Sequence, residues 1–237
     1  MERTKFLFLD IETIPPNTLE DFTIEKSPPR NIKDPAKIEA WYIDNKEKLF
    51  RAQSLDTNSA KILTLSAAFD EADPVCFCDK GDYSEEKVMG MFEEYFFDNI
   101  EERRDIDGRI SDVNYDPMFV GVNSKAFDLQ IMYIRSLKYD LKFLAPFLEK
   151  ARQRYSKSSI DLSTIWAGSL PMNEAYVSMN KMMNVLGIPD TFSEGFDGSQ
   201  VYDAFVNGEI DKIIQYNKDD VIRTRLIFDK IRGSIGY

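Results

Sequence analysis

No histidine occurs among the 237 residues of this chain. That absence excludes every mechanism that needs imidazole as base, acid or ligand, so serine-histidine-aspartate triads, histidine-bound phosphodiesterase metals and Cys2His2 zinc sites all drop out. Cysteine is nearly as scarce. Cys76 and Cys78 stand one residue apart, share a strand face, and lack the partners of a four-ligand zinc site; they read as small, part-buried residues. Long apolar runs are missing too: the amino terminus offers Phe6-Leu7-Phe8-Leu9 before a charge intervenes. No signal peptide or membrane anchor is legible, and a cytoplasmic location without membrane partners is the expectation. Linkers, low-complexity tracts and internal repeats are absent as well, so residues 1–237 are read as one domain.

What is present is a chain of 43% hydrophobic and 30% charged residues, enough to bury one sizeable core in a soluble globular protein. The net charge of −11 argues against a polyanionic partner at face value. Its distribution softens that objection, because residues 70–107 hold 14 acidic and 4 basic residues and so carry nearly all of the excess. Residues 135–157 lean the other way, with Arg135, Lys138, Lys142, Lys150, Arg152, Arg154 and Lys157 against Asp140 and Glu149. Such a stretch suits a phosphate backbone or a solvated helix face equally well.

Residues 4–10 read as a buried strand stopping at Asp10. A polar, proline-rich stretch follows, ending at Asp34-Pro35, a side-chain cap followed by a first-turn proline. Ile38, Trp41, Tyr42 and Leu49 then recur at helical spacing to about residue 54, which makes residues 15–59 a helical excursion between two strands. Strands are expected at 61–69, 75–79 and 118–122, and helices at 84–100, 127–137, 180–186, 199–206 and 209–231. The order implies an α/β fold, a mixed sheet with helices on both faces.

Asp10 and Glu12 are two apart on a strand and so aim at one side, following an apolar run that anchors their backbone in the core. Unpaired carboxylates there would be costly without a cation. Asp128 begins a helix just after the strand at 118–122, either as a first-turn acid or as a third carboxylate at the sheet's carboxyl edge. Tyr216 and Asp220, four apart, neighbour each other on the last helix, flanking its apolar stripe of Ile210, Ile213, Ile214, Val221 and Ile227. Asp219 is one step round and is expected to be solvated. Acids and a tyrosine without histidine suit Mg2+ or Mn2+ rather than zinc. Two such ions activate water and stabilise the entering and leaving oxygens of phosphodiester hydrolysis, which also reconciles an acidic chain with nucleic acid.

Phe8-Leu9-Asp10-Ile11-Glu12-Thr13, Val122-Asn123-Ser124-Lys125-Ala126-Phe127-Asp128-Leu129 and Tyr216-Asn217-Lys218-Asp219-Asp220-Val221 resemble, in order, the three motifs of the DEDD superfamily of 3'-to-5' exonucleases. The tyrosine subtype fits. The nearest likeness is to predicted exonucleases related to the proofreading domain of family B DNA polymerases, and Ile160-Asp161-Leu162 and Asp197-Gly198-Ser199-Gln200-Val201 share it. The resemblance implies a ribonuclease H-like fold, a five-stranded mixed sheet whose second strand is antiparallel. It implies that Asp10, Glu12 and Asp220 hold one divalent cation, that Asp10 and, through water, Asp128 hold a second, and that Tyr216 orients the attacking water. Thr13, Asn123 and Phe127 become candidates for contacting the terminal nucleotide. The implied activity is release of nucleoside monophosphates from a single-stranded 3' end, DNA ahead of RNA, with any proofreading requiring a polymerase or other replication or repair protein in trans. An RNA-trimming exonuclease and a catalytically silent binding or scaffold module are the rivals. Ser124 stands where glycine is frequent and Asn217 where cysteine is, and neither change removes a ligand. Asp161 reads as a helix cap or as a support for the site, and the excursion as a lid or a cap on the core.

Overall fold

Strand β1 spans Phe6–Ile14 and does not stop at Asp10. The antiparallel ladder to β2, Lys61–Phe69, carries it on, with Asp10 opposite Ser66, Glu12 opposite Thr64 and Ile14 opposite Lys61 after a register shift between Glu12 and Thr13. The apolar run ends because two positions on one face become acidic, while Ile11 and Ile14 remain core. The computed structural model describes residues 5–100, 117–168, 177–189, 192 and 195–237. Among these, β3 (Val75–Phe77) pairs antiparallel with β2, while β4 (Met118–Gly121) and β5 (Ser159–Asp161) run parallel to β1. The sheet order β3-β2-β1-β4-β5 sets β1 at the centre. This is the five-stranded mixed sheet of a ribonuclease H-like fold, with the second strand antiparallel as the motifs implied.

Eight α-helices occur among the described residues. Helix α1 is Pro35–Ala52, started by Asp34, whose carboxylate accepts the Ala36 amide at 2.9 Å. Then come α2 (Glu85–Ile100), α3 (Asp128–Lys138), α4 (Ala145–Ala151), α5 (Leu162–Ala167) and α6 (Met179–Leu186). Helices α7 (Val201–Val206) and α8 (Ile210–Ile231) complete the chain. Gly187, in the left-handed region at φ +66°, ends α6 as expected of a helix-stop glycine. Strand β5 and helices α4 and α5 lie in a stretch whose pattern signals no element. Three residues of strand are too few to establish a period.

Alternation along β1 sorts the molecule into two faces. Leu7, Leu9 and Ile11 bury against α2, α3 and α4, through Val88, Met89, Phe92 and Phe96 and through Leu129, Ile131, Met132 and Leu148. The opposite face of β1 reads Phe8, Asp10, Glu12. Phe8 joins Val120, Ile160, Met182, Met183, Val221 and Phe228 in a second core under α6 and α8. Beyond Phe8 that face turns from hydrocarbon to carboxylate, and α8 lies across it. No helix among the described residues is long and apolar enough to cross a membrane.

One residue of the basic stretch is not surface charge. Arg135 of the basic stretch is 4% exposed and pairs with buried Glu85 at 2.8 Å, so it cannot lie along a phosphate backbone. Lys138 reaches the same glutamate, Lys142 pairs with Asp140, and Arg152 pairs with Glu149 at 2.6 Å. Buried Glu85 is the one acid these pairings add to Asp140 and Glu149, and Lys138 and Lys142 stay largely exposed.

Candidate active site

Asp10 and Glu12 come from the middle of the central strand, Asp220 from the helix crossing it. One ligand oxygen from each lies within 4.8 Å of the other two. Glu12 and Asp220 are buried, whereas Asp10 is half-buried. Burial pushes the carboxyls of Asp10 and Glu12 well above the ordinary range, and the charges of Asp220 and Asp128 push in the same direction. Burial raises Asp220 as well, against the opposing pull of Arg223, whose guanidinium meets Asp220 Oδ1 at 2.7 Å. Hard, crowded, desolvated oxygens of this kind fit a magnesium- or manganese-sized dication.

Asp128 stands beside this trio and is not one of the three oxygens that converge. The pairing of β1 with β4 ends at Phe8 and Val120, so farther along β1 the Ile11 amide, between the two acids, needs an acceptor that is not a strand. Asp128 Oδ1 supplies it at 3.2 Å. Burial lifts the Asp128 carboxyl to about 7, opposed by its backbone hydrogen bonds and assisted by the charges of Asp161 and Asp220. Asp128 is thus a first-turn acid of α3 outside the tight cluster, a buried carboxylate one amide away from it.

Tyr216 is half-buried, edge-on to Phe196 with centroids 5.0 Å apart. Burial, the charges of Asp220, Glu12 and Asp10, and a hydrogen bond to Asp220 all hold its phenol protonated. Asp219 corrects the expectation of solvation: it is 4% exposed and accepts from Gln215 Nε2 at 2.7 Å. The apolar stripe underestimates how much of α8 is covered, since α6 and α7 pack along it as well as the sheet.

The turn into α3 is strained and braced. Asn123 is left-handed at φ +59°, and a Cβ on Gly121 would come within 2.5 Å of the Ser124 Cβ. Asp161 holds the turn: its carboxylate accepts the amides of Asn123 and Lys125, each at 3.0 Å, and also caps α5 through Ser163 at 3.0 Å and Thr164 at 3.3 Å. It therefore does both things its position allowed, capping a helix and supporting the site. Phe127 packs against the first core. Thr13 gives its hydroxyl hydrogen to the Ser54 carbonyl at 2.6 Å, which ties the end of the helical excursion to the site strand.

The motif reading includes Asn217 without giving it a role and does not reach Arg223. Asn217 is fully buried and donates to Asp10 Oδ2 at 2.7 Å, and Arg223 is the counterion of Asp220. A signal existed for the first: Asn217 lies four residues after Ile213 and four before Val221, a polar residue inside the buried stripe.

A family model described as "Predicted 3'-5' exonuclease related to the exonuclease domain of PolB" matches residues 109–236. The matched stretch holds Asp128, Tyr216 and Asp220; Asp10 and Glu12 precede it and reach them through the sheet. No curated protein matches the chain.

Proposed function

The chain belongs to this family of predicted 3'-5' exonucleases, and from that premise we propose that it releases nucleoside monophosphates from the 3' end of single-stranded DNA with the aid of two divalent cations. The observation that carries the reading is the convergence of Asp10, Glu12 and Asp220 within 4.8 Å. Three carboxylates without a nitrogen or sulfur donor suit Mg2+ or Mn2+. Such ions, when bound, make water more acidic and neutralise the oxygens of the phosphodiester under attack.

The protein's own groups supply position. Asp10, Glu12 and Asp220 hold ligand oxygens on two rigid elements, a central strand and a long helix, where their geometry survives loop motion. Asp128, anchored on the Ile11 amide, is the carboxylate that would help to hold a second ion. Tyr216, protonated at working pH, orients the attacking water beside Asp220. Arg223 pairs with Asp220 and opposes the upward push of burial on its carboxyl. Grip on phosphate and sugar rather than base edges predicts little sequence preference.

The test uses 5'-labelled DNA and RNA strands of matched sequence. With Mg2+ or Mn2+ the DNA should shorten stepwise from its 3' end, faster than the RNA, and chelation should stop it. Failure of both strands to shorten with either metal would leave a silent binding module as the better account. Shortening that survives chelation would overturn the metal-dependent scheme.

A further inference from the structure

Asn217 follows Tyr216 on α8 and has no exposed surface. A primary amide is expensive there unless its polar groups are partnered. Both of its ends find partners: Nδ2 donates to Asp10 Oδ2 at 2.7 Å, and Oδ1 accepts from the Cys76 thiol at 3.8 Å. Chemistry fixes which way round the amide sits. Flipped, it would set its carbonyl oxygen against the carboxylate of Asp10. One side chain on α8 thus links the central strand to the edge strand β3, and the link passes through a carboxylate of the cation site.

We propose that Asn217 is a positioning residue, which holds Asp10 aimed at Glu12 and Asp220 while these carboxylates, un-neutralised, repel one another. The choice of an amide matters. A lysine or arginine would restrain Asp10 as firmly but would compete with a dication for it, whereas a neutral donor restrains without competing. Asp220 illustrates the other solution, since its restraint is the charged Arg223. Occupying Oδ2 leaves Asp10 its other oxygen for the ion, in a rotamer set before the ion arrives. The role rests on the exonuclease reading for its purpose; its test does not need nucleic acid.

Mn2+ binding to the full chain is measured by calorimetry and by the paramagnetic signal of free Mn2+. Asn217→Leu keeps the branched skeleton and deletes the donor, and Asn217→Ser leaves a hydroxyl too short to span to Asp10. Each should raise the Kd for Mn2+ about 10- to 100-fold while far-ultraviolet circular dichroism stays native. A folded variant that binds Mn2+ like the wild type overturns the proposal. Should neither variant fold, the wild type still decides: the Asn217 side-chain amide signal should be protected from exchange and shift as Mg2+ fills the site, and an unprotected, unmoved signal overturns the proposal equally. Asn217-dependent Mn2+ binding without strand shortening would sink the exonuclease reading alone. Strand shortening with Mn2+ binding indifferent to Asn217 would sink the positioning role alone.

Discussion

Each of the four acids at the cleft is buried enough to have its pKa raised, and the counterion among their described neighbours is Arg223, on Asp220. Removing a ligand should therefore be far more harmful to hydrolysis than to folding. Asp10→Ala and Asp220→Ala are each expected to lower metal-dependent hydrolysis by about 10²-fold or more, and Tyr216→Phe by less, on the order of tenfold, because positioning a water is a part of the barrier rather than the whole. Single-turnover assays on a labelled strand, with saturating metal, check the ranking. Asp128 allows a sharper comparison. Asp128→Asn retains an acceptor for the Ile11 amide and removes a buried charge, whereas Asp128→Ala orphans that amide. The alanine variant should be less stable than the asparagine variant by about 1–3 kcal/mol in metal-free denaturation, with both poor in hydrolysis.

At the scale of elements, the site strand is held from outside by contacts that do no chemistry. Glu85 at the start of α2 accepts from Arg135 of α3 and from the Ile62 amide of β2 at 2.8 Å, and the Tyr139 hydroxyl donates to it at 2.6 Å. Arg135 also donates to the Ala60 carbonyl just before β2. Replacing Arg135 by Met would leave Glu85 buried and unbalanced, so a loss of about 3–5 kcal/mol is expected. The double replacement Glu85→Gln with Arg135→Met should recover part of it; equal losses in single and double variants would contradict the coupling. The helical excursion depends on a smaller contact. Thr13→Val deletes the hydrogen bond to Ser54, and should cost about 1 kcal/mol and speed amide exchange along α1 while leaving α3 and β4 unchanged. Several of these elements were legible from their own residues: β2 occupies 61–69 as its apolar run requires, and α1 opens at Asp34-Pro35 because cap and proline are adjacent in sequence.

For the molecule as a whole, the site is a store of electrostatic repulsion that a cation relieves. Carboxyls titrate near 4 in an unfolded chain, while Asp128 does so at about 7 in the fold, with Asp10 and Glu12 also raised. A folded-state pKa above the unfolded value means the contribution to stability is complete below pH 4 and is lost as pH rises through 7. Metal-free protein should therefore melt at falling temperature from pH 4 to pH 8. Mg2+ at a hundredfold excess over its Kd should restore about 2.7 kcal/mol at the alkaline end and little at the acid end. Melting curves with chelator and with Mg2+ across that range check both signs.

Contiguous residues were sufficient for whatever contiguous chemistry dictates. Helix periods, the Asp34 cap, the two acids sharing a face of β1 and the spacing of Tyr216 to Asp220 are all properties of neighbours along the chain, and they delivered the α/β class and two pairs of candidate residues; the resemblance of the three motifs joined Asp128 to them and implied the roles of all five. What tertiary structure alone decided concerns surfaces that meet from far apart. Three residues of β5 have no period and exist as strand because β4 lies beside them. The stripe on α8 tells that one side is buried but not that α6 and α7 pack along the helix as well, nor that Asp219 is buried. Arg135 looked like surface charge until Glu85, fifty residues earlier, proved to lie against it. Whether a polar side chain is solvated, paired or committed to a ligand depends on its partners in space, and the partners of Asn217, on β1 and β3, stand 207 and 141 residues away in the chain.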